Sequence, residues 1–376
     1  MNGAVFSGDE LIRYSRHFVL PGFGEAGQTA LKKSSVLVVG AGGLGAPALY
    51  YLTAAGVGRI GIADADTVNL SNLQRQILFT VEDIGAAKAK AAAKRLQSLN
   101  PDVRFDVIES RLEASNVMQH LEPYKVIVDA TDNFPTRYLL NDACVLAGKP
   151  LIYGSVFRYE GQVSVFNYRE GPNYRDLFPA PPEPGTVPDC EQGGVLGVLP
   201  GLIGAMQASE AIKVLTGIGD VLSGRLWMMD MQHPEPQVIA IPDRRARDRI
   251  KNLIDYDEFC GLKSKEKHTR TMKEITVQEL KKMIDSKTDF QLIDVREPYE
   301  FDICNLEGEL IPMADVPANA DKISKEKQVV VHCRSGRRSG DIIQWLEKNK
   351  GFTNLYNLKG GILAWSDQID PSMPKY

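Results

Sequence analysis

The run VLVVGAGGLGAP, Val36 to Pro47, constrains the fold of this chain more than any other stretch. An apolar β-rich segment ends in Gly40, Gly42, Gly43 and Gly45, and an apolar helical segment follows. Gly40, Gly42 and Gly45 match the spacing G-x-G-x-x-G between a strand and a helix. Glycines there allow a tight turn and bring backbone N–H groups close to a phosphate. The helix N-terminus adds partial positive charge. Asp64 ends the next β-rich run, RIGIADAD, where a carboxylate binds ribose hydroxyls. A dinucleotide enzyme, an ATP-consuming enzyme and a tight packing turn all fit these residues.

The first half of the chain continues this rhythm. Ala86–Leu99 is rich in Ala and Lys and reads as helix. VRFDVI, KVIVDAT and PLIYGSV read as further strands. Such alternation predicts an α/β fold, a Rossmann-like, doubly wound, mostly parallel sheet. The rhythm breaks over Gly171–Cys190, where FPAPPEPGTVPDC crowds five prolines, and that stretch reads as a long surface loop. An apolar helix near Gly201–Thr216 and two strands, RLWMMDM and QVIAIP, close the domain at about residue 245. Asp243–Lys273 is highly charged, and 246–271 reads as a solvated tether. A smaller α/β pattern occupies 272–376.

Polar residues crowd the stretch after Asp64. NLSNLQRQ carries Asn69, Ser71, Asn72, Gln74, Arg75 and Gln76. Hydride transfer needs no such set, whereas a triphosphate does. Arg75 can stabilise charge on the transferring phosphate, and Asn72 and Gln74 can donate to its oxygens. Lys88 can hold another phosphate, or be one solvated lysine beside Lys90 and Lys94. DATDN places Asp132 and Asn133 at a strand end facing the ligand crevice. Asp132 can hold Mg²⁺ there, or the pair can form an Asx turn or helix cap.

The ordered motifs RYSRH…GFGEAGQ, VLVVGAGGLG, SNLQRQ, GAAKA, ATDN, GQVSVF and CEQGGVLGVLPGLIGAMQASEAIK resemble the MoeB/ThiF adenylyltransferases over residues 8–242. These are relatives of the ubiquitin-activating enzymes. The resemblance implies that MgATP adenylates the C-terminal glycine of a ubiquitin-fold sulfur carrier ending in Gly-Gly. It also implies a homodimer. Gly43 and its loop would contact the nucleotide and Asp64 the ribose. Ser71, Asn72, Gln74, Arg75 and Lys88 would bind phosphates, and Asp132 would hold Mg²⁺. Arg16 would reach into the site of the other subunit. Many members carry two C-x-x-C pairs for a structural zinc. Here Asn173, Asp176 and Asp257 stand in those positions with Cys260 alone, so no zinc is expected.

Two cysteines read as chemical. Cys190 follows the proline-rich loop and precedes a helix, where a thiolate is favoured; burial as a small residue is the other reading. The resemblance assigns it a covalent acyl intermediate. In VVVHCRSGRRSG, Cys333 lies between a β-run and a helix with Arg334, Gly336, Arg337 and Arg338 around it. Backbone N–H groups and arginines about a thiol should lower its pKa. With LIDVREPYEF and NLKGGILAW, this loop resembles a rhodanese domain over 272–370, whose cysteine carries a persulfide. Related-fold phosphatases have a loop one residue longer. Asp294 and Arg296 read as structural, and Cys304 as packing.

The net charge of -4 offers no electrostatic case for nucleic acid or an anionic membrane. No leader and no apolar run long enough for a bilayer is evident, and the five scattered cysteines suggest reduced thiols, so a cytoplasmic enzyme is expected. Fusion of the two activities implies conversion of a carrier carboxylate to a thiocarboxylate, for molybdopterin, thiamin, cysteine or tRNA thiolation. A cysteine desulfurase or thiosulfate would load Cys333. The rivals are an NAD-dependent oxidoreductase, an activator of a ubiquitin-like modifier for tRNA thiolation or conjugation, and a non-catalytic scaffold.

Overall fold

A computed structural model describes residues 5–182, 194–233, 235–261 and 272–375. Internal contacts divide the chain into two units, Met1–Lys265 and Glu266–Tyr376.

In the first unit an eight-stranded sheet has the order β3-β2-β1-β4-β5-β6-β7-β8. The strands are β1 Ser35–Val39, β2 Arg59–Ala63, β3 Arg104–Ile108, β4 Val126–Asp129, β5 Leu151–Phe157, β6 Glu160–Phe166, β7 Arg225–Asp230 and β8 Gln237–Ala240. The five from β3 to β5 run parallel. The last three add on antiparallel. GQVSVF thus forms strand β6, which pairs with β5 along its whole length. Strands β1 and β4 are buried along nearly their whole length, which explains their unbroken apolar character.

The helix Val198–Thr216 has the length and apolarity of a membrane span, contrary to the expectation that no segment would. Its apolar residues have a different use. Leu199, Ile203, Ala208 and Ala211 belong to the core shared with Leu49 and Leu52 of the helix Gly45–Ala55. One face of the helix is buried in this core, while Val198 and Leu202 are exposed.

The reading of 171–190 as a surface loop fails at its start. Asn173 caps a helical turn, Tyr174–Leu177, and Asn173, Tyr174 and Asp176 are buried. Proline density misled here, because the dense run of prolines begins only at Pro179, after this turn. The tether reading fails for 246–261 likewise. Ala246, Ile250, Tyr256 and Cys260 are buried, and Tyr256 and Cys260 join the core that contains Tyr174.

A polar network ties these segments together at the positions where zinc ligands would stand. Asp176 accepts the backbone N–H groups of Asn173, Arg244 and Ala246, and the Asn173 amide. Arg175 grips Asp142 through two bonds of 2.7 and 2.8 Å, and the Tyr256 hydroxyl donates to the same carboxylate. The Arg175 guanidinium also lies 4.6 Å from the Phe259 ring. Burial pushes the Cys260 thiol up to about 11. Replacing Asp176 by alanine leaves several buried donors unpaired. We expect it to lower the stability of the first unit by about 3–5 kcal/mol in urea unfolding. Removing the exposed Asp243 side chain should change stability by less than about 0.5 kcal/mol. Equal effects of the two would contradict this role for Asp176.

The second unit holds a five-stranded parallel sheet, β11-β10-β12-β13-β9. Its strands are β9 Glu274–Ile275, β10 Phe290–Asp294, β11 Glu309–Leu310, β12 Gln328–His332 and β13 Leu355–Leu358. Val329 and Val331 of β12 face one core cluster, and Val330 faces another.

Candidate functional site

In the first unit a cleft opens at the carboxyl ends of the parallel strands. Gly40 has φ +94, and a Cβ there would come within 2.6 Å of the Ala130 carbonyl oxygen. A Cβ on Gly45 would lie 1.9 Å from the Gly40 carbonyl oxygen. The loop therefore turns tightly and seats the Gly45–Ala55 helix against β1. Gly40, Gly42 and Gly43 line the cleft, while Gly45 lies in the packing beneath it. Asp64 accepts the Ala41 N–H at 2.7 Å and the Asp66 N–H at 2.9 Å. Burial pushes its carboxyl up, and these N–H groups and Lys88 oppose that.

Lys88 is not one solvated lysine among three. It is buried, lines the cleft and pairs with Asp66 at 3.0 Å, while Lys90 and Lys94 are exposed. The segment after Asp64 forms a 3-10 turn, Leu70–Asn72, capped by Asn69. Asn72, and Arg75 and Gln76 beyond the turn, line the cleft. Ser71 and Gln74 do not line it. The Gln74 backbone and side chain lie against Gly197 instead. Arg75 donates to the Ser71 carbonyl at 3.0 Å, which orients its guanidinium.

Asp132 and Asn133 line the opposite wall. Among the described residues none hydrogen-bonds or ion-pairs with the Asp132 carboxylate, which suits it to a hydrated cation on a bound phosphate. Asn133 caps the helix Phe134–Ala147 by accepting the Thr136 N–H. Asp129, at the end of β4, holds this turn in place. Its carboxylate accepts the Thr131 hydroxyl at 2.6 Å and faces Arg137 at 3.5 Å. Burial raises the Asp129 pKa, opposed by Arg137. Arg16 lies exposed on the helix Ser15–Phe18 and does not line this chain's own cleft. Cys190 lies outside the described residues.

Sequence reasoning missed Ser110, Arg111 and Leu112, which wall the cleft after β3, and Pro200, which closes on Gly43. No local pattern marks them. Asp129 and Arg137 were also missed, although an acid ending the apolar run KVIVD is a visible signal.

In the second unit Cys333 follows β12 and is 1% exposed. Its sulfur accepts the Gly336 N–H at 3.2 Å and the Ser339 hydroxyl at 3.4 Å. Asn357 on β13 accepts from Ser339 and donates to the Gly336 carbonyl, so the loop is held from behind. The helix after the loop runs Arg337–Lys350. Arg334 is half-buried and Arg337 exposed. Arg338 does not direct an uncompensated charge at the thiol. It makes two bonds, 2.6 and 2.7 Å, to Glu300. Arg296 is fully buried, chelates Asp294, and donates to the Glu300 and Cys304 carbonyls. A chain of contacts thus runs from β10 through Arg296 and Glu300 to the thiol loop. Burial pushes the neighbouring His332 down to about 4, so the imidazole is neutral at physiological pH.

The cleft and its glycine loop define a nucleotide-binding α/β unit, and the thiol loop defines a sulfurtransferase-type unit. Residues 14–250 match the ThiF family and 276–368 the rhodanese-like domain, and the chain belongs to the ThiF family. It is 44% identical over 382 residues to "Probable adenylyltransferase/sulfurtransferase MoeZ" of Mycobacterium tuberculosis, covering 99% of this chain and 97% of that one. It is 41% identical over 393 residues to "Adenylyltransferase and sulfurtransferase MOCS3" of Culex quinquefasciatus, covering 98% and 90%. The chain is an adenylyltransferase with a sulfurtransferase domain. Among solved structures, PaaA is similar at a TM-score of 0.55 and 20% identity, covering 64% of this chain and 76% of that one. Escherichia coli MccB solved with ATP is similar at 0.51 and 20%, covering 64% and 74%. These two share the fold.

Proposed function

We propose that the enzyme adenylates the C-terminal glycine of a ubiquitin-fold sulfur carrier and converts it to a thiocarboxylate with sulfur from a Cys333 persulfide. The observation that carries this reading is the presence of both a nucleotide cleft and a caged thiol on one chain. The glycine-loop N–H groups, Asn72, Arg75 and Lys88 hold the triphosphate, and Asp64 holds the ribose. Asp132 would hold a magnesium ion, which when bound would supply neutralisation of phosphate charge. A carrier carboxylate oxygen attacks the α-phosphorus, and pyrophosphate leaves. Arg75 stabilises the charge that builds during this transfer. The protein acts by position and charge, with no covalent nucleophile.

The persulfide sulfur of Cys333 then attacks the acyl carbon, and AMP leaves. A thiol attacks the Cys333 sulfur of the resulting acyl disulfide, which frees the thiocarboxylate and leaves Cys333 in a disulfide that an external dithiol reductant then opens. Cys190 assists this release or shuttles the acyl group. A cysteine desulfurase or thiosulfate reloads Cys333. The enzyme works as a cytoplasmic homodimer in molybdopterin or related sulfur-cofactor synthesis, with Arg16 completing the partner's cleft. Ile12 and Val19, near Arg16, are 76% and 74% exposed, which supports a covered face there.

ATP–pyrophosphate exchange with candidate carriers ending in Gly-Gly tests the proposal. Exchange should appear only when the right carrier is present, and that carrier names the pathway. Absence of exchange with every carrier, in a protein that binds MgATP, would overturn it. Covalent capture of target lysines would favour the conjugation reading.

A further inference from the structure

The sheet order predicts where a nucleotide's base must lie. Phosphates belong at the loop after β1, and the ribose at Asp64 after β2. The next strand outward is β3, so the base points to the residues that follow it. These are Ser110, Arg111 and Leu112. Leu112 is buried and packs in the same core as Tyr256 and Cys260. Arg111 is different. Its side chain is 54% exposed, and a long exposed side chain ordinarily samples many rotamers. Here its Nη2 donates to Asp257 Oδ1 at 2.8 Å.

Asp257 does not line the nucleotide cleft. It sits on the turn Tyr256–Phe259, which is a fixed point. Tyr256 is bonded to Asp142, Asp142 is gripped by Arg175, and Cys260 is buried in the core. A carboxylate on an anchored turn holds the guanidinium at the cleft wall. A planar cation held there offers its face to a purine.

We propose that Asp257 is a positioning residue for nucleotide binding: it orients Arg111 as the wall against the base. The segment around 257 thereby takes part in substrate binding rather than only in packing. This inference rests on the nucleotide reading of the cleft. Because the pair is partly exposed, it adds little to stability, and its removal should leave the fold intact.

Calorimetric titration of the full chain with MgATP tests this, and no carrier is needed. Asp257→Asn should weaken ATP binding about three- to tenfold, and Asp257→Glu should restore it to within about twofold. Inorganic tripolyphosphate, which has no base, should bind wild type and Asp257→Asn alike. The double variant Arg111→Ala/Asp257→Asn should bind ATP no more weakly than Arg111→Ala alone. The thermal midpoint of Asp257→Asn should match wild type. Wild-type affinity for ATP in Asp257→Asn, equal weakening of tripolyphosphate, or additive losses in the double variant would each overturn the proposal. Failure of the wild-type chain to bind MgATP at all would instead remove the nucleotide reading itself, and the inference with it.

Discussion

Under the proposed cycle, Cys333→Ala should abolish thiocarboxylate formation and leave carrier-dependent ATP–pyrophosphate exchange at the wild-type rate. In that cycle the outer sulfur of the Cys333 persulfide is the group transferred, and an alanine has no sulfur to hold it. Loss of a covalent nucleophile removes its step almost entirely, so residual transfer should fall below about one-thousandth of wild type. The substitution is mild for the fold. The sulfur is buried and accepts two hydrogen bonds, and alanine occupies less space without adding charge. Cys333→Ser keeps the shape and both partners and should be equally inactive. The assay is mass spectrometry of the carrier, which gains sulfur in place of oxygen. If exchange also disappeared in Cys333→Ala, the division of labour between the two units would be wrong.

The second large effect belongs to Arg75. Its guanidinium lines the cleft beside Gly43 and is steadied by the Ser71 carbonyl. A cation aimed at a phosphate undergoing transfer stabilises the transition state more than the bound substrate. Arg75→Ala should therefore reduce the exchange rate about 10²- to 10³-fold while loading of sulfur onto Cys333 continues unchanged. Arg75→Lys should not recover the loss, because an ammonium lacks the planar fork. A decrease of less than tenfold would place the charge that drives the transfer elsewhere, with Lys88 the first residue to examine. The two variants together separate activation from sulfur delivery. Each should block one half-reaction and spare the other.

The glycine loop, Asp64, the Asp132–Asn133 turn and the thiol loop were legible because each is a contiguous strand–turn–helix element. Spacing along the chain is then spacing in space. Lys88 shows where this ends. By composition it matches Lys90 and Lys94, yet only Lys88 turns inward, to meet Asp66. In NLSNLQRQ the residue types suggested one polar surface, but only some of these side chains reach the cleft. Asn72 and Arg75 reach the cleft, and Ser71 and Gln74 do not.

By itself, then, the sequence determined the two α/β units, the tight glycine loop with Asp64 at the end of the next strand, and the cysteine at a helix start. Local backbone preferences and short-range spacing suffice for those. Only the tertiary structure decided which charges are compensated and which long-range pairs shape the sites. Arg338 is matched by Glu300, 38 residues away, and Arg111 by Asp257, 146 residues away. The buried turn at Asn173–Asp176 likewise needs Arg244 and Ala246, which donate to Asp176 across 68 and 70 residues. Such pairs form when crossover connections bring distant segments to one end of a sheet, and no window of sequence contains both partners.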